Sequence, residues 1–405
     1  MDESSKLHYP HVRVRGDYGE RGRQYGEAAH DRVHFSLQAY ERVFSHYAGW
    51  DWGQVCREAM RHIPAIETLE PGYLEELRGI AEGAGVEFED ILALNVRTEV
   101  MFSARARQAM KTSEAPAECS SFLFMPQVMA NGHTLVGQNW DWLVHCYDTL
   151  VVLEVEQERK PDFVTVVEAG LLCKVAMNSS GLGLATNALV TADDRGEEGI
   201  PYHVVLRAIV DCDSVTDVLA TVQKMTRSSS ANYLVAHGDG VGVDIESAPG
   251  DFSRVYVLLP EHGVILHTNH FLSPRFDRTE ISLWAMPDSA VRLARCGAAL
   301  EGASRPFAVG DIQRMLADHA DYPNGVCAHR DERDHPQEQG ATIASVIMDL
   351  DERGLWLTDG NPCKMPWRRL DYGELLAKPS PLGRRSVTDA EDSDVEGVEY
   401  RKCSR

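Results

Sequence analysis

The hydrophobic period changes once, near residue 112, and that change limits the fold more than any other feature of the 405-residue chain. From 17 to about 115 the pattern is helical. Val33, Leu37, Tyr40 and Val43 recur at the spacing of one helix face. Residues 75–86 and 88–101 read as further helices, the first with glycine at its end. TSEAPAE (112–118) is small, polar and Pro-containing, and reads as an exposed loop. Short runs rich in β-branched and aromatic residues then follow closely: SFLFM, TLVGQNW, TLVVLEVE, FVTVVEA and KVAMN. Two helices are predicted over 200–225, with Asp213 or Ser214 capping the second. A hairpin over 232–247, a strand pair over 254–271, a helix over 288–302 and a last hairpin over 341–362 complete the reading. Runs of helices and strands, rather than strict βα alternation, predict a layered α+β domain and exclude a Rossmann sheet or a barrel.

A net charge of -22 argues against nucleic acid and anionic membrane surfaces, which need clustered Lys and Arg. No apolar run approaches the roughly 18 residues of a membrane span. MDESSKLHYP lacks the apolar stretch of a secretory signal, so a cytoplasmic location is expected. The nine cysteines form no CxxC pair, which suits free thiols in a reducing compartment. No metal is expected. The nearest pair of ligands, His329 and His335 in AHRDERDH, reads as a solvated charged loop. No Gly-rich phosphate loop is visible and no cofactor is expected. The tail from about 383 reads as disordered.

Cys119 opens the first strand after the exposed loop. Asn131-Gly132 is a strong signal for a two-residue hairpin turn, which pairs Ala130 with His133 and sets Asp141 opposite Phe122. Simple alternation then places Asp141 on the opposite face from Cys119, unless a bulge at Pro126 resets the parity. A free cysteine is most often a buried structural residue. This one follows a loop and has a carboxylate returned beside it.

C-S-S-F from Cys119 and G-Q-N-W-D-W at 137–142 stand with H-T-N-H at 267–270, N-S-S-G-L-G at 178–183 with Asn187 after it, and Gly22-Arg23…Gly26. Together they resemble the acyl-coenzyme A:6-aminopenicillanic acid acyltransferase (isopenicillin N acyltransferase) family of N-terminal-nucleophile hydrolases, over most of residues 10–375. The resemblance implies a four-layer αββα sandwich with an N-terminal helical segment. Residues 1–118 become a helical α-chain or pro-segment, 119–382 the catalytic β-chain, and 383–405 an acidic tail. It implies self-cleavage between Glu118 and Cys119, with Cys119 as nucleophile of the new N-terminus. Asp141 would hold the amine or thiol, Asn269 would donate to the oxyanion, and Asn187 matches a second oxyanion element. Ser230 and Ser345 lie in segments that border the substrate in that family. The implied partners are the two chains of one precursor and a small-molecule amide or acyl donor, a coenzyme A thioester among the candidates. The chemistry is coherent, because a free α-amine with pKa about 8 can act as base for a thiol with pKa about 8.5 on the same residue.

Two other classes compete. A papain-like peptidase needs a dedicated histidine, and none of the sixteen stands out. Its cysteine also belongs at a helix N-terminus, where the thiol pKa is lowered, not at the head of a strand. A non-catalytic binding protein on the same fold has no need to keep Cys119, Asp141 and Asn269 together.

Overall fold

A computed structural model describes residues 8–107 and 118–377. Strand β1 (His11–Arg15) leads into helices α1 (Tyr18–Ala28), α2 (His30–Ala48), α3 (Trp52–Ala59), α4 (Ile63–Leu69), α5 (Pro71–Ala84), α6 (Phe88–Asn95) and α7 (Arg97–Arg107). Strands β2 (Glu118–Phe124), β3 (Leu135–Leu143), β4 (Leu150–Glu156), β5 (Phe163–Glu168), β6 (Val175–Asn178) and β7 (Leu182–Ala188) follow. Helices α8 (Tyr202–Val210) and α9 (Val215–Lys224) precede strands β8 (Ala231–His237), β9 (Val241–Ser247), β10 (Val255–Leu258) and β11 (Val264–His267). Helices α10 (Ser282–Ala285), α11 (Ser289–Glu301) and α12 (Val309–Leu316) come next. Strands β12 (Gly340–Asp349), β13 (Gly354–Thr358) and β14 (Arg368–Asp371) end the described chain.

The strands form an eight-stranded sheet, ordered β1-β4-β5-β6-β7-β8-β9-β10, and a six-stranded sheet, ordered β11-β2-β3-β12-β13-β14. Alternation along each strand builds the layers. On β4, Val151, Leu153 and Val155 pack on the helices, while Leu150 and Val152 face the other sheet. On β2, Cys119 and Leu123 point between the sheets, while Phe122 and Phe124 point out under α12 with Ile312 and Met315. Each fully buried side chain of this kind contributes about 1.5–3 kcal/mol. The result is the four-layer αββα sandwich that the sequence led us to expect.

The early glycines have a packing role. A Cβ on Gly22 of α1 would stand 2.1 Å from Glu76 O of α5, and one on Gly83 of α5 would stand 2.1 Å from Arg23 O of α1. The two backbones are therefore in contact, and only glycine fits. Asp17 and Glu20 form the capping box that starts α1, and Ser214, not Asp213, caps α9.

Two sequence-based expectations are corrected. Residues 254–271 do not form a hairpin: β10 pairs with β9 in the larger sheet, and β11 pairs with β2 in the smaller. Residues 182–188 form strand β7, which carries Asn187. The Asn131-Gly132 turn does not close a two-residue hairpin. Residues 125–134 form a longer connection, with a short 3₁₀ turn at Pro126–Val128, because Met125 N–H donates to Gly263 O and Ala130 N–H to Phe307 O. The register moves by four residues: Phe122 faces Gly137, and Asp141 faces Glu118. An even shift leaves the faces unchanged. The one irregularity of the ladder lies in β12, between Thr342 and Ala344, not at Pro126. Strand β1 and helix α12 were not expected from the sequence.

Candidate active site

Cys119 heads a central strand, and side chains from three other elements grip its backbone. From beyond β11, Asn269 Oδ1 accepts the Cys119 N–H at 2.7 Å. From β7, Asn187 Nδ2 donates to the Cys119 carbonyl at 3.0 Å, and Ser121 Oγ donates to Asn187 Oδ1 at 2.6 Å. From α11, Arg292 Nη1 donates to the same carbonyl at 2.8 Å and to Ser120 Oγ at 3.1 Å, while Nη2 donates to Asn269 Oδ1 at 3.0 Å. Asp288, one turn earlier on α11, holds Arg292 Nε. The Asn269 orientation follows from its partners, since Oδ1 faces two donors and Nδ2 faces the Ala188 carbonyl at 2.9 Å. Its donor is thus committed to Ala188 in the uncleaved chain.

The segment carrying Asn269 is itself fixed. Buried His267 contacts Glu246 Oε1 at 3.0 Å, and the Glu246 carboxylate also accepts from the N–H groups of Leu272 and Ser273. Asn269 N–H donates to Ser289 Oγ at 2.7 Å. The short HTNH run is therefore tied at both ends, which makes its middle a rigid position.

Cys119 lines a mainly apolar cavity of about 80 Å³, bordered by Tyr40, Phe44, Met101, Trp140, Lys174 and Tyr202 among others. Burial pushes the thiol up to about 11. The Lys174 ammonium is the largest influence pulling it down, the Asp141 carboxylate pushes it up, and the Asp141 backbone N–H and Arg292 pull it down. Lys174 itself is pushed down to about 8, mainly by burial, and its Nζ donates to Tyr202 OH at 2.9 Å. A resting thiol at neutral pH is thus almost wholly protonated. His203 also borders the cavity, but burial drives it well below the ordinary histidine range. Among the described residues no histidine hydrogen-bonds the Cys119 thiol.

The other predicted residues divide by face. Ser230 borders the same cavity as Cys119, with its N–H and Oγ held by the Asp194 carboxylate. Ser345 does not. Alternation along β12 turns it to the outer face, where its Oγ donates to Asn139 Oδ1 at 2.5 Å. Asp141 also lies on the face away from the thiol. Its Oδ1 accepts from Thr342 Oγ1 at 2.5 Å, its Oδ2 is buried without a partner, and it borders a separate polar cavity with Asp288 and His329. Burial pushes Asp141 up to about 7 against the pull of Arg292 and Thr342. Arg292 and Lys174 were not singled out from the sequence. Arg292 sits in an ordinary amphipathic helix and Lys174 at the start of a short strand, and neither has a motif around it. His329 and His335 separate as well, since His335 stacks on His46 with ring centroids 4.1 Å apart.

Two stacked sheets with helices on both outer faces define the N-terminal-nucleophile hydrolase fold. The chain belongs to the acyl-coenzyme A:6-aminopenicillanic acid acyl-transferase family, whose profile matches residues 128–364. It is 26% identical over 357 residues to the 40 kDa form of acyl-coenzyme A:6-aminopenicillanic-acid-acyltransferase of Emericella nidulans, covering 87% of this chain and 93% of that one. It is 24% identical to the β-alanyl-dopamine/carcinine hydrolase of Drosophila melanogaster, covering 86% and 92%. Among solved structures, a variant of conjugated bile acid hydrolase from Clostridium perfringens matches with a TM-score of 0.48 at 13% identity, over 64% of this chain and 94% of that one. Penicillin V acylase from Agrobacterium tumefaciens matches with a TM-score of 0.42 at 13% identity, over 64% and 88%.

Proposed function

We propose that the protein is a self-processing cysteine amidohydrolase or acyltransferase that acts on a small-molecule amide through an acyl-thioester on Cys119. The observation that carries this reading is the 2.7 Å hydrogen bond from Cys119 N–H to Asn269, made by a residue that lines an apolar cavity. Cleavage before Cys119 turns that nitrogen into an α-amine that is already held in place. A thiol raised to about 11 needs a base, and the new amine is one.

The maturation step is an acyl shift. Cys119 Sγ attacks the Glu118 carbonyl carbon, the Glu118–Cys119 C–N bond breaks, and the thiol proton ends on the leaving nitrogen. Water then hydrolyses the thioester, leaving a carboxylate on Glu118 and a free thiol on Cys119. Asp141, opposite Glu118 in the ladder, neighbours this junction. In turnover the α-amine takes the thiol proton, the thiolate attacks the substrate amide, and the protonated amine returns the proton to the departing amine. Water or an acceptor amine then resolves the acyl-enzyme. The apolar lining suits an apolar acyl group. The relatives' names support acyl transfer and amide hydrolysis as the two readings, with coenzyme A thioesters as candidate donors.

Intact-mass spectrometry of the purified protein tests the reading. Two fragments are expected, the larger beginning CSSFLF. A single full-length species that nevertheless turns over N-acyl amines would overturn it.

A further inference from the structure

A second constellation lies outside the Cys119 site. His319, Cys327, His329 and Cys363 point their donor atoms at one another, all within 4.8 Å. Cys327 Sγ lies 3.6 Å from Cys363 Sγ and 3.6 Å from His329 Nε2. His329 Nε2 lies 3.4 Å from Cys363 Sγ and 3.1 Å from His319 Nε2. Two thiols and two imidazole nitrogens that converge in this way are poor partners for each other, because a thiol is a weak donor and a weak acceptor.

The distances match the edges of a coordination tetrahedron. With Zn–S about 2.3 Å and Zn–N about 2.0–2.1 Å, the edges are about 3.8 Å for S–S, about 3.6 Å for S–N and about 3.3 Å for N–N. Four of the six separations fall within about 0.2 Å of their edges, and the two from His319 to the thiols lie within 4.8 Å. We infer that these four side chains form a Cys₂His₂ site for a zinc ion. Soft thiolates with imidazoles in tetrahedral array select zinc over the hard cations. Four protein ligands leave no open position, so the ion would be structural. Binding releases the two thiol protons, and the resulting site is neutral: Zn²⁺ with two thiolates and two neutral imidazoles.

The surroundings fit this. Asn361 Nδ2 donates to Cys327 Sγ at 3.5 Å and to Ala328 O at 2.7 Å, and the Cys363 backbone N–H also favours the Cys327 thiolate. Such N–H donors are the outer partners of a thiolate ligand. The location gives the site a purpose. Residues 317–339, between α12 and β12, contain no helix or strand. A stretch this long without regular structure needs another constraint. The metal would join it to the segment after β13 that carries Cys363. The same stretch supplies Asn324, Ala328, His329 and Asp331 to the polar cavity that Asp141 borders. Three ligands fall within 319–329 and the fourth at 363, a spacing with no CxxC pair, which hid the site in the sequence.

The test uses the full chain, purified under reducing conditions. Elemental analysis should find about one zinc per chain in the wild type and almost none in a Cys327→Ser/Cys363→Ser variant. After chelation, Co²⁺ added to the wild type should give the intense visible bands of tetrahedral cobalt and a thiolate charge-transfer band at one equivalent. His319→Ala, at an exposed position, should fold and should weaken Co²⁺ binding at least tenfold. Wild-type protein that neither retains zinc nor binds one equivalent of Co²⁺ would overturn the proposal. So would full zinc content in the double variant, or a Cys327–Cys363 disulfide in freshly lysed, alkylated cells.

Discussion

The side-chain carbonyl of Asn269 lies 2.7 Å from the backbone nitrogen of Cys119, and the same oxygen accepts from Arg292 at 3.0 Å. One amide therefore links the strand that opens with the thiol to the helix that supplies the nearest buried guanidinium. In the proposed mature enzyme this oxygen orients the α-amine that acts as base.

Asn269→Ala removes the acceptor shared by Cys119 N–H and Arg292 Nη2. We expect kcat to fall by about 10²–10³ with KM nearly unchanged, the size seen when a preorganised polar group is lost from a reacting centre. A purely structural asparagine would lower Tm and leave activity per folded molecule intact. Both quantities are measured on one preparation, and near-wild-type kcat in folded protein removes Asn269 from the mechanism.

Cys119→Ala should give a folded, uncleaved, inactive chain. The thiol is almost fully buried in the inter-sheet core, and trading sulfur for a methyl keeps that environment apolar. Tm should stay within a few degrees of the wild type. Normal processing of this variant on a denaturing gel would mean that another residue is the nucleophile.

The parts of this fold visible in the sequence are those with strong local period. The helical run before residue 112, the β-branched strands and the α8–α9 pair were all legible from local pattern and composition, although α8 and the central strands are buried on both faces. The β10–β11 crossing was not, since two short strands joined by a turn look like a hairpin whichever sheets they join. The candidate site could be proposed from the sequence where a motif surrounds it, at Cys119 and in HTNH. Arg292 and Lys174 come near Cys119 only through tertiary packing. Local spacing carries no trace of that. Ser345 lies on the outer face of β12, and segment likeness says nothing about which face a strand residue takes.

Asp141 should shape the pH dependence of stability. Its folded pKa is about 7, raised from the ordinary aspartate value of about 3.9 mainly by burial. Proton binding is thus favoured in the folded state. Its contribution is fully present below pH about 4 and is lost as pH rises to about 7. Asp141→Asn keeps an acceptor for Thr342 Oγ1 and removes the buried charge. The variant should melt higher than wild type at pH 8, with the difference shrinking towards pH 4. A lower Tm for Asp141→Asn at pH 8 would show that the pull of Arg292 outweighs desolvation.

Lys174 is the group to change in order to move the thiol itself. It is buried beside the cavity that Cys119 borders, its Nζ contacts Tyr202 OH, and among the charges acting on the thiol it is the largest that lowers its pKa. Lys174→Met keeps length and apolar bulk and removes the ammonium. The Cys119 pKa should rise, and alkylation of Cys119 by iodoacetamide at pH 8 should slow roughly tenfold for each unit of that rise. Peptide mapping isolates Cys119 from the exposed Cys363 thiol. Stability should move the other way. A lysine depressed to about 8 from an ordinary value of about 10.4 costs folding free energy below pH 8, and the cost is relieved as pH rises towards 10. Lys174→Met should therefore be more stable than wild type at pH 7, and the gap should close in alkaline buffer. An unchanged pH profile of Cys119 alkylation in a well-folded Lys174→Met protein would show that the ammonium does not act on the thiol, and that the lysine serves the Tyr202 contact alone.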